Sequence, residues 1–313
     1  MIFEPRAAAI IYNILRAYEE DKVFILPSNV CPIVPITFLK ANKRFELIDI
    51  SDESLCIDEE IVLTRLKQSP NKYAGVLFVR TFGTDDCFET FFKQIKDIQE
   101  SFLVIDDRCL SIPNTDYIET YADVVLYSTG YSKVVDLGYG GIAQLKGNVN
   151  YKKYPNKYSE KSHSELINNY KFSIQDRSQY IYKDSNWLDN SISDRSFESH
   201  VELMQMEYNE SIRIKKRINK IYSDNLPSNI QLKPNYQLWR FNITVPNNSN
   251  VIDVLFANNL FASTHYPSLN GIFCEGDAIN TEKLHSTVIN LFNDKHYSEE
   301  KAYMTVDIIN QFV

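Results

Sequence analysis

The chain has 313 residues, 44% hydrophobic and 24% charged, enough to bury one large core and a smaller second one. Its formal charge of -8 argues against a nucleic-acid-binding surface, which needs clustered Lys and Arg. The basic run from Arg213 to Lys220 reads as the solvated face of an amphipathic helix. Cys31, Cys56, Cys87, Cys109 and Cys274 form no CxxC pair, and their number is odd. They read as reduced, scattered thiols in a cytoplasmic protein, not a disulfide framework or a zinc site. The first fifteen residues make a poor signal peptide, and no apolar run approaches the ~20 residues of a membrane span.

In chain order, Met1–Phe3 is a candidate further strand ahead of a helix over Ala7–Glu20. Short apolar runs then predict strands at Val23–Pro27, Phe45–Ile50, Gly75–Arg80, Leu103–Asp107, Val124–Ser128 and Gly141–Leu145. Helical patterns at Val34–Ala41, Asp58–Gln68 and Phe88–Ile98 lie between them. The alternation predicts an α/β fold with a mostly parallel central sheet covered on both faces. Ligands of such sheets bind beyond the carboxyl ends of the strands. Ser28, Asn29, Arg80, Thr81, Asp106 to Arg108, Ser128 and Thr129 fall at those ends.

From 146 to 197 the pattern breaks, and a long irregular or helical connection is expected. Glu198–Tyr222 has helical spacing and reads as a helix linking two domains. Leu238–Thr244, Val251–Asn258, Ser286–Phe292 and a final helix suggest a small α+β domain. The expected division is a large domain over 1–183, then the linking helix and small C-terminal domain over 184–313.

The chemistry concentrates in two places. Phe102 to Asp107 is a buried strand ending in two carboxylates, and Lys133 lies in the loop after the next strand. That pairing suits pyridoxal phosphate (PLP): the amine bonds the cofactor, and the carboxylate keeps the pyridine nitrogen protonated. An amine becomes a useful nucleophile when burial or a neighbouring cation lowers its pKa. Ser128, Thr129 and Gly130 offer hydroxyl and backbone N–H groups for a phosphate. Arg6, opening the first helix, adds a charge at a helix N-terminus suited to anions. The bland alternatives are an ordinary ion pair between Asp107 and Lys133, and a helix capped by Asp106 and Asp107. The five histidines show no metal-ligand spacing, and His265-Tyr266-Pro267 reads as a loop with a turn. A GxSxG elbow and a P-loop are both missing. The loose GxGxxA of Gly138, Gly140 and Ala143 runs into a strand, not a helix.

The order of these segments resembles the fold-type I PLP enzymes, and among them the DegT-type sugar aminotransferases, almost end to end. The segments carrying the likeness are Val23–Ile36 (VFILPSNVCPIVPI), Phe45–Asp58 (FELIDISDESLCID), Val79–Gly83 (VRTFG) and Ile105–Leu110. Ser128–Lys133 with Gly140-Gly141, and Leu260–Ile272, complete it. The resemblance implies that Lys133 bonds the cofactor and shuttles protons, that Asp107 meets the pyridine nitrogen, and that Ser128 binds the phosphate. It implies a homodimer in which a neighbouring chain supplies an asparagine, for which Asn186 is the candidate. It also implies an amino-acid donor, expected to be glutamate, and a keto-sugar acceptor in surface-polysaccharide or related biosynthesis. The chain departs from the pattern at three points. Pro5-Arg6 or Arg6-Ala7 stands at the family's Gly-Thr, Val30-Cys31 near its ring-stacking aromatic, and Leu110 at its glutamine. The altered first helix and Leu110 motivate an alternative, a degenerate PLP-fold binding or regulatory protein. Another PLP carbanion reaction is a further alternative, although the related dehydratases carry histidine at the position of Lys133.

Overall fold

A computed structural model describes residues 1–192 and 195–313. Its elements in chain order are β1 (Ile2–Glu4), α1 (Ala7–Ala17), β2 (Val23–Pro27), α2 (Ile33–Lys40), β3 (Arg44–Ile48), α3 (Glu59–Gln68) and β4 (Tyr73–Val79). Next come α4 (Glu89–Ile98), β5 (Leu103–Asp107), β6 (Val124–Ser128), β7 (Gly141–Leu145), α5 (Glu160–Gln175) and α6 (Phe197–Asn225). The C-terminal part holds β8 (Phe241–Thr244), α7 (Asn248–Ala257), β9 (Ala262–Ser263), α8 (Ile279–Thr287), β10 (Val288–Leu291) and α9 (Glu299–Ile309).

Seven strands form the central sheet in the order β1-β7-β6-β5-β4-β2-β3. The run from β3 to β6 is parallel, and β7 pairs antiparallel with both β6 and β1. Strand alternation sorts the side chains onto two faces. In β2, Phe24 and Leu26 join Ile10, Leu15 and Phe38 of α1 and α2, whereas Ile25 joins Phe78, Phe91 and Phe92 on the α4 side. Each such side chain contributes roughly 1.5–3 kcal/mol when fully buried. A second, antiparallel sheet, β8-β10-β9, packs against the second half of α6 and against α7 and α9.

The observed elements differ from the expected ones mainly at their ends. α1 stops at Ala17 because Tyr18 turns extended ahead of the charged run Glu19 to Asp21. The stretch 251–257 belongs to a helix, α7, which Asn258 caps and which contacts β9 and β10. The connection expected over 146–197 contains α5, whose first turn is capped by the Ser159 hydroxyl; residues 193 and 194 lie outside the described residues. Asp106 and Asp107 cap no helix: the chain turns after β5 through a bond from Ser111 N to Arg108 O (2.9 Å).

Candidate active site

Successive residues of a strand face opposite sides, and β5 ends on two acids. Asp106 faces arginines. Its carboxylate accepts Nε and Nη2 of Arg80 at 2.9 and 3.0 Å, and Nε of Arg108 at 2.7 Å. Asp107 faces a cavity of about 330 Å³, whose wall also includes Lys133, Cys31, Cys109 and Leu110. Its side chain accepts the Cys109 N–H at 2.9 Å. Burial pushes the Asp107 carboxyl up, opposed by the Cys109 hydrogen bonds and the Lys133 charge. Burial also holds the Cys109 thiol well above its ordinary value, and the neighbouring Asp107 carboxylate adds to this. A larger groove of about 840 Å³ opens beside Arg80 and Arg108, but both arginines are paired with Asp106.

The C-terminal part closes the cavity with Trp239, Arg240, His265 and Tyr266. Arg240 is buried, with Nη1 on Asp294 Oδ2 at 2.9 Å. The His265 ring packs on Phe82 with centroids 4.9 Å apart. Burial, aided by His285, pushes its imidazole down to about 4, so it is neutral near pH 7. Tyr266 Oη donates to Cys31 Sγ at 3.4 Å. With Tyr131, Tyr266 brings aromatic surface to the cavity in which Cys31 stands.

A second cluster sits at the ends of β6 and β7. The Ser128 hydroxyl accepts the Gly130 N–H at 3.2 Å. Arg6 Nη1 donates to Gly138 O at 2.7 Å, and its guanidinium lies 5.5 Å over the Tyr131 ring. A Cβ built on Gly130 would stand 3.3 Å from Ser128 Oγ and 3.8 Å from Arg6 Nη1, so hydroxyl and guanidinium converge on that glycine. A Cβ on Gly141 would stand 2.3 Å from Ala7 N, so glycine lets the first turn of α1 lie directly against β7. The N-cap residue Arg6 makes no side-chain cap to α1, and although the Ala9 N–H bonds the Arg6 carbonyl at 3.0 Å, the start of the helix remains suited to an anion.

Lys133, Asp107 and Cys31 therefore share one cavity, while Ser128, Arg6 and Ala7 gather at the neighbouring strand ends. Asn186 lines no wall of its own chain's cavity. It is exposed beside α5, where its carbonyl accepts the Ser159 N–H at 2.8 Å.

Asn29 tests whether the cavity suits a polar cofactor. It is 2% exposed and lines the same wall. Neither polar atom of its carboxamide has a partner among the described residues. A buried amide without partners costs about 1–3 kcal/mol, so the cavity is built for a ligand with polar edges. An amine, a buried acid, a carboxamide without partners among the described residues and an anion-binding cluster next door fit PLP. Asn29 is visible in the sequence only as a strand-end polar residue. Trp239 and Arg240 carry no sequence signal, because a loop far along the chain delivers them.

No family model and no curated protein matches the sequence. Solved structures do match its fold. A DegT DnrJ EryC1 StrS aminotransferase from Brucella abortus is 15% identical, covering 99% of this chain and 85% of that one, with a TM-score of 0.68. A sugar aminotransferase from Micromonospora echinospora is 14% identical over 99% and 86%, with a TM-score of 0.70. The E. coli GDP-4-keto-6-deoxy-D-mannose-3-dehydratase, solved with hydrated PLP, is 13% identical over 98% and 86%, with a TM-score of 0.64. The chain has the fold of the PLP-dependent, DegT-type sugar aminotransferases.

Proposed function

We propose that the chain is a PLP-dependent aminotransferase that moves an amino group from an amino acid, with glutamate the expected donor, to a keto sugar. The acceptor in this reading is nucleotide-linked, and the product serves surface-polysaccharide or related biosynthesis in the cytoplasm. One observation carries it: Lys133 and Asp107 line one cavity, with Ser128 and Arg6 converging on Gly130 at the adjacent strand ends.

When bound, PLP supplies an electron-poor ring that stabilises negative charge on the carbon losing a proton. Asp107 would pair with the ring nitrogen and keep its proton in place, an electrostatic role suited to a buried carboxylate. Lys133 would hold the cofactor through Nζ and, as the free amine, would take the substrate proton and return it as general base and acid. Ser128 Oγ, Arg6 and the first-turn N–H groups of α1 bind the phosphate. Cys31 would lie at the ring, and Asn186 would reach the phosphate of the partner copy in a homodimer. Residues 1–183 act as the cofactor-binding domain and 184–313 as the linking helix and small domain. Lysine at position 133 favours amino transfer over dehydration.

A second reading, a degenerate binding or regulatory protein, draws on Cys31 and Leu110 in the cavity wall. Visible absorption of the protein with PLP, before and after L-glutamate, separates the two. The expected result is a yellow band that bleaches with glutamate in the wild type and is lost in Lys133→Ala. No lysine-dependent band in either protein overturns the aminotransferase reading and supports the second one.

A further inference from the structure

We infer that Trp239 and Ser211 are positioning residues for Lys133, holding from the C-terminal part the two carbonyls that flank it. Trp239 Nε1 donates to the Ser132 carbonyl at 2.7 Å, and Ser211 Oγ donates to the Val134 carbonyl. These are the carbonyls one residue before and one residue after the lysine. The inference rests on reading Lys133 as the reactive amine.

A lysine side chain has four rotatable bonds, so the aim of its amine starts from a fixed backbone as well as from the groups it meets at its tip. That backbone does not sit in its intrinsic minimum. Ser132 is a non-glycine residue at φ +59°, in the left-handed region, which costs about 1 kcal/mol. Its N–H is held by Asp136 Oδ2 at 2.7 Å, and Asp136 Oδ1 takes the Gly138 N–H at 2.9 Å. The local loop thus fixes the donor side of Ser132, and Trp239 fixes the acceptor side. Beyond the lysine, Val134 and Val135 are buried, and Ser211 on α6 ties Val134 down.

Both clamps come from the part of the chain that shuts the cavity. Trp239 lines it, stacks on Phe82 at 6.4 Å and 11°, and lies 5.3 Å beneath the Arg240 guanidinium. A substrate pressing on Trp239 acts on the same hydrogen bond that orients the lysine. Seating of the substrate and aim of the amine are coupled through one indole N–H.

The test reads the amine in the cofactor-free chain. Acetylation of Lys133 by acetic anhydride is followed by mass spectrometry relative to Lys161, whose side chain is 85% exposed. Trp239→Phe keeps the ring and loses the donor, Ser211→Ala loses the hydroxyl, and Ser211→Thr restores it. Released from a clamp, the amine reaches solvent, so its relative labelling rises about fivefold in Trp239→Phe and in Ser211→Ala, the worth of one hydrogen bond. Ser211→Thr stays close to wild type. Wild-type labelling in both Trp239→Phe and Ser211→Ala, even with lowered melting temperatures, overturns the inference and leaves the contacts merely structural. The PLP spectrum of the same wild-type protein is read separately. A missing band there sinks the aminotransferase reading without altering what labelling says about the clamp.

Discussion

The two sides of β5 treat consecutive carboxylates in opposite ways. Asp106 is enclosed by Arg80 and Arg108, and Arg80 Nη1 also reaches Asp86 O at 2.5 Å. Asp107 is also buried, yet only hydrogen bonds from Cys109, through its side chain and its N–H, and the nearby charge of Lys133 oppose the burial. The first arrangement spends its charges on the fold. The second leaves a charge deficit, with the unpaired amide of Asn29 on the same wall. A structure retains such a deficit where a ligand completes it, and this difference separates scaffold from site in two adjacent residues.

Breaking the scaffold side gives the largest expected effect on stability. Asp106→Ala strands two guanidinium groups, and removing one partner of a buried ion pair costs about 3–5 kcal/mol. Chemical denaturation of the cofactor-free protein measures it. A loss below about 1 kcal/mol shows that solvent reaches the arginines and that the contrast with Asp107 is weaker than the geometry states.

Much of this contrast is legible in the sequence, but not all of it. The run Leu103 to Asp107 reads as a strand ending in acids, and the Tyr127–Lys133 block places a lysine one strand later, because both signals are local. Which acid faces which side is not legible: it depends on the register of Val79 with Asp107 and on where Arg80 swings. Arg240 and Trp239 are invisible for a different reason. Residues distant along the chain bring them to the cavity, and no periodicity marks a loop side chain that closes a lid. Edges of elements shift by a few residues where capping or a charged run ends them, as at Tyr18.

Asp107 sharpens the comparison through pH. Its folded carboxyl lies above the ordinary value, with burial the leading cause. The folded, cofactor-free chain therefore binds that proton more tightly than the unfolded chain does. Its contribution to stability is fully present below the unfolded pKa, near 4, and is lost as pH rises through the folded one. Asp107→Asn carries no proton to lose, so at about pH 8 its cofactor-free form melts above wild type, and the gap closes towards about pH 4. With PLP the order reverses at about pH 8, because only the carboxylate offers the ring nitrogen an opposite charge. Differential scanning at both pH values, with and without PLP, tests the pair of signs. A variant that melts below wild type without cofactor at about pH 8 defeats this account of Asp107.

Asn29 makes the smallest and most diagnostic break. Its carboxamide is buried with neither atom paired among the described residues, so a leucine, with the same number of side-chain heavy atoms and a cavity beside it to fill, removes a desolvation cost and adds apolar surface. The expected gain is about 1 kcal/mol, or roughly 2 °C in melting temperature for a chain of this size, in the cofactor-free protein. The same change deprives a bound ligand of a donor and an acceptor. PLP, or PLP with glutamate, then raises the melting temperature of Asn29→Leu less than that of wild type. A variant that gains stability and keeps the full ligand shift assigns the orphan amide to the fold. One that gains stability and loses part of the shift puts Asn29 beside Asp107, among groups left incomplete for a ligand.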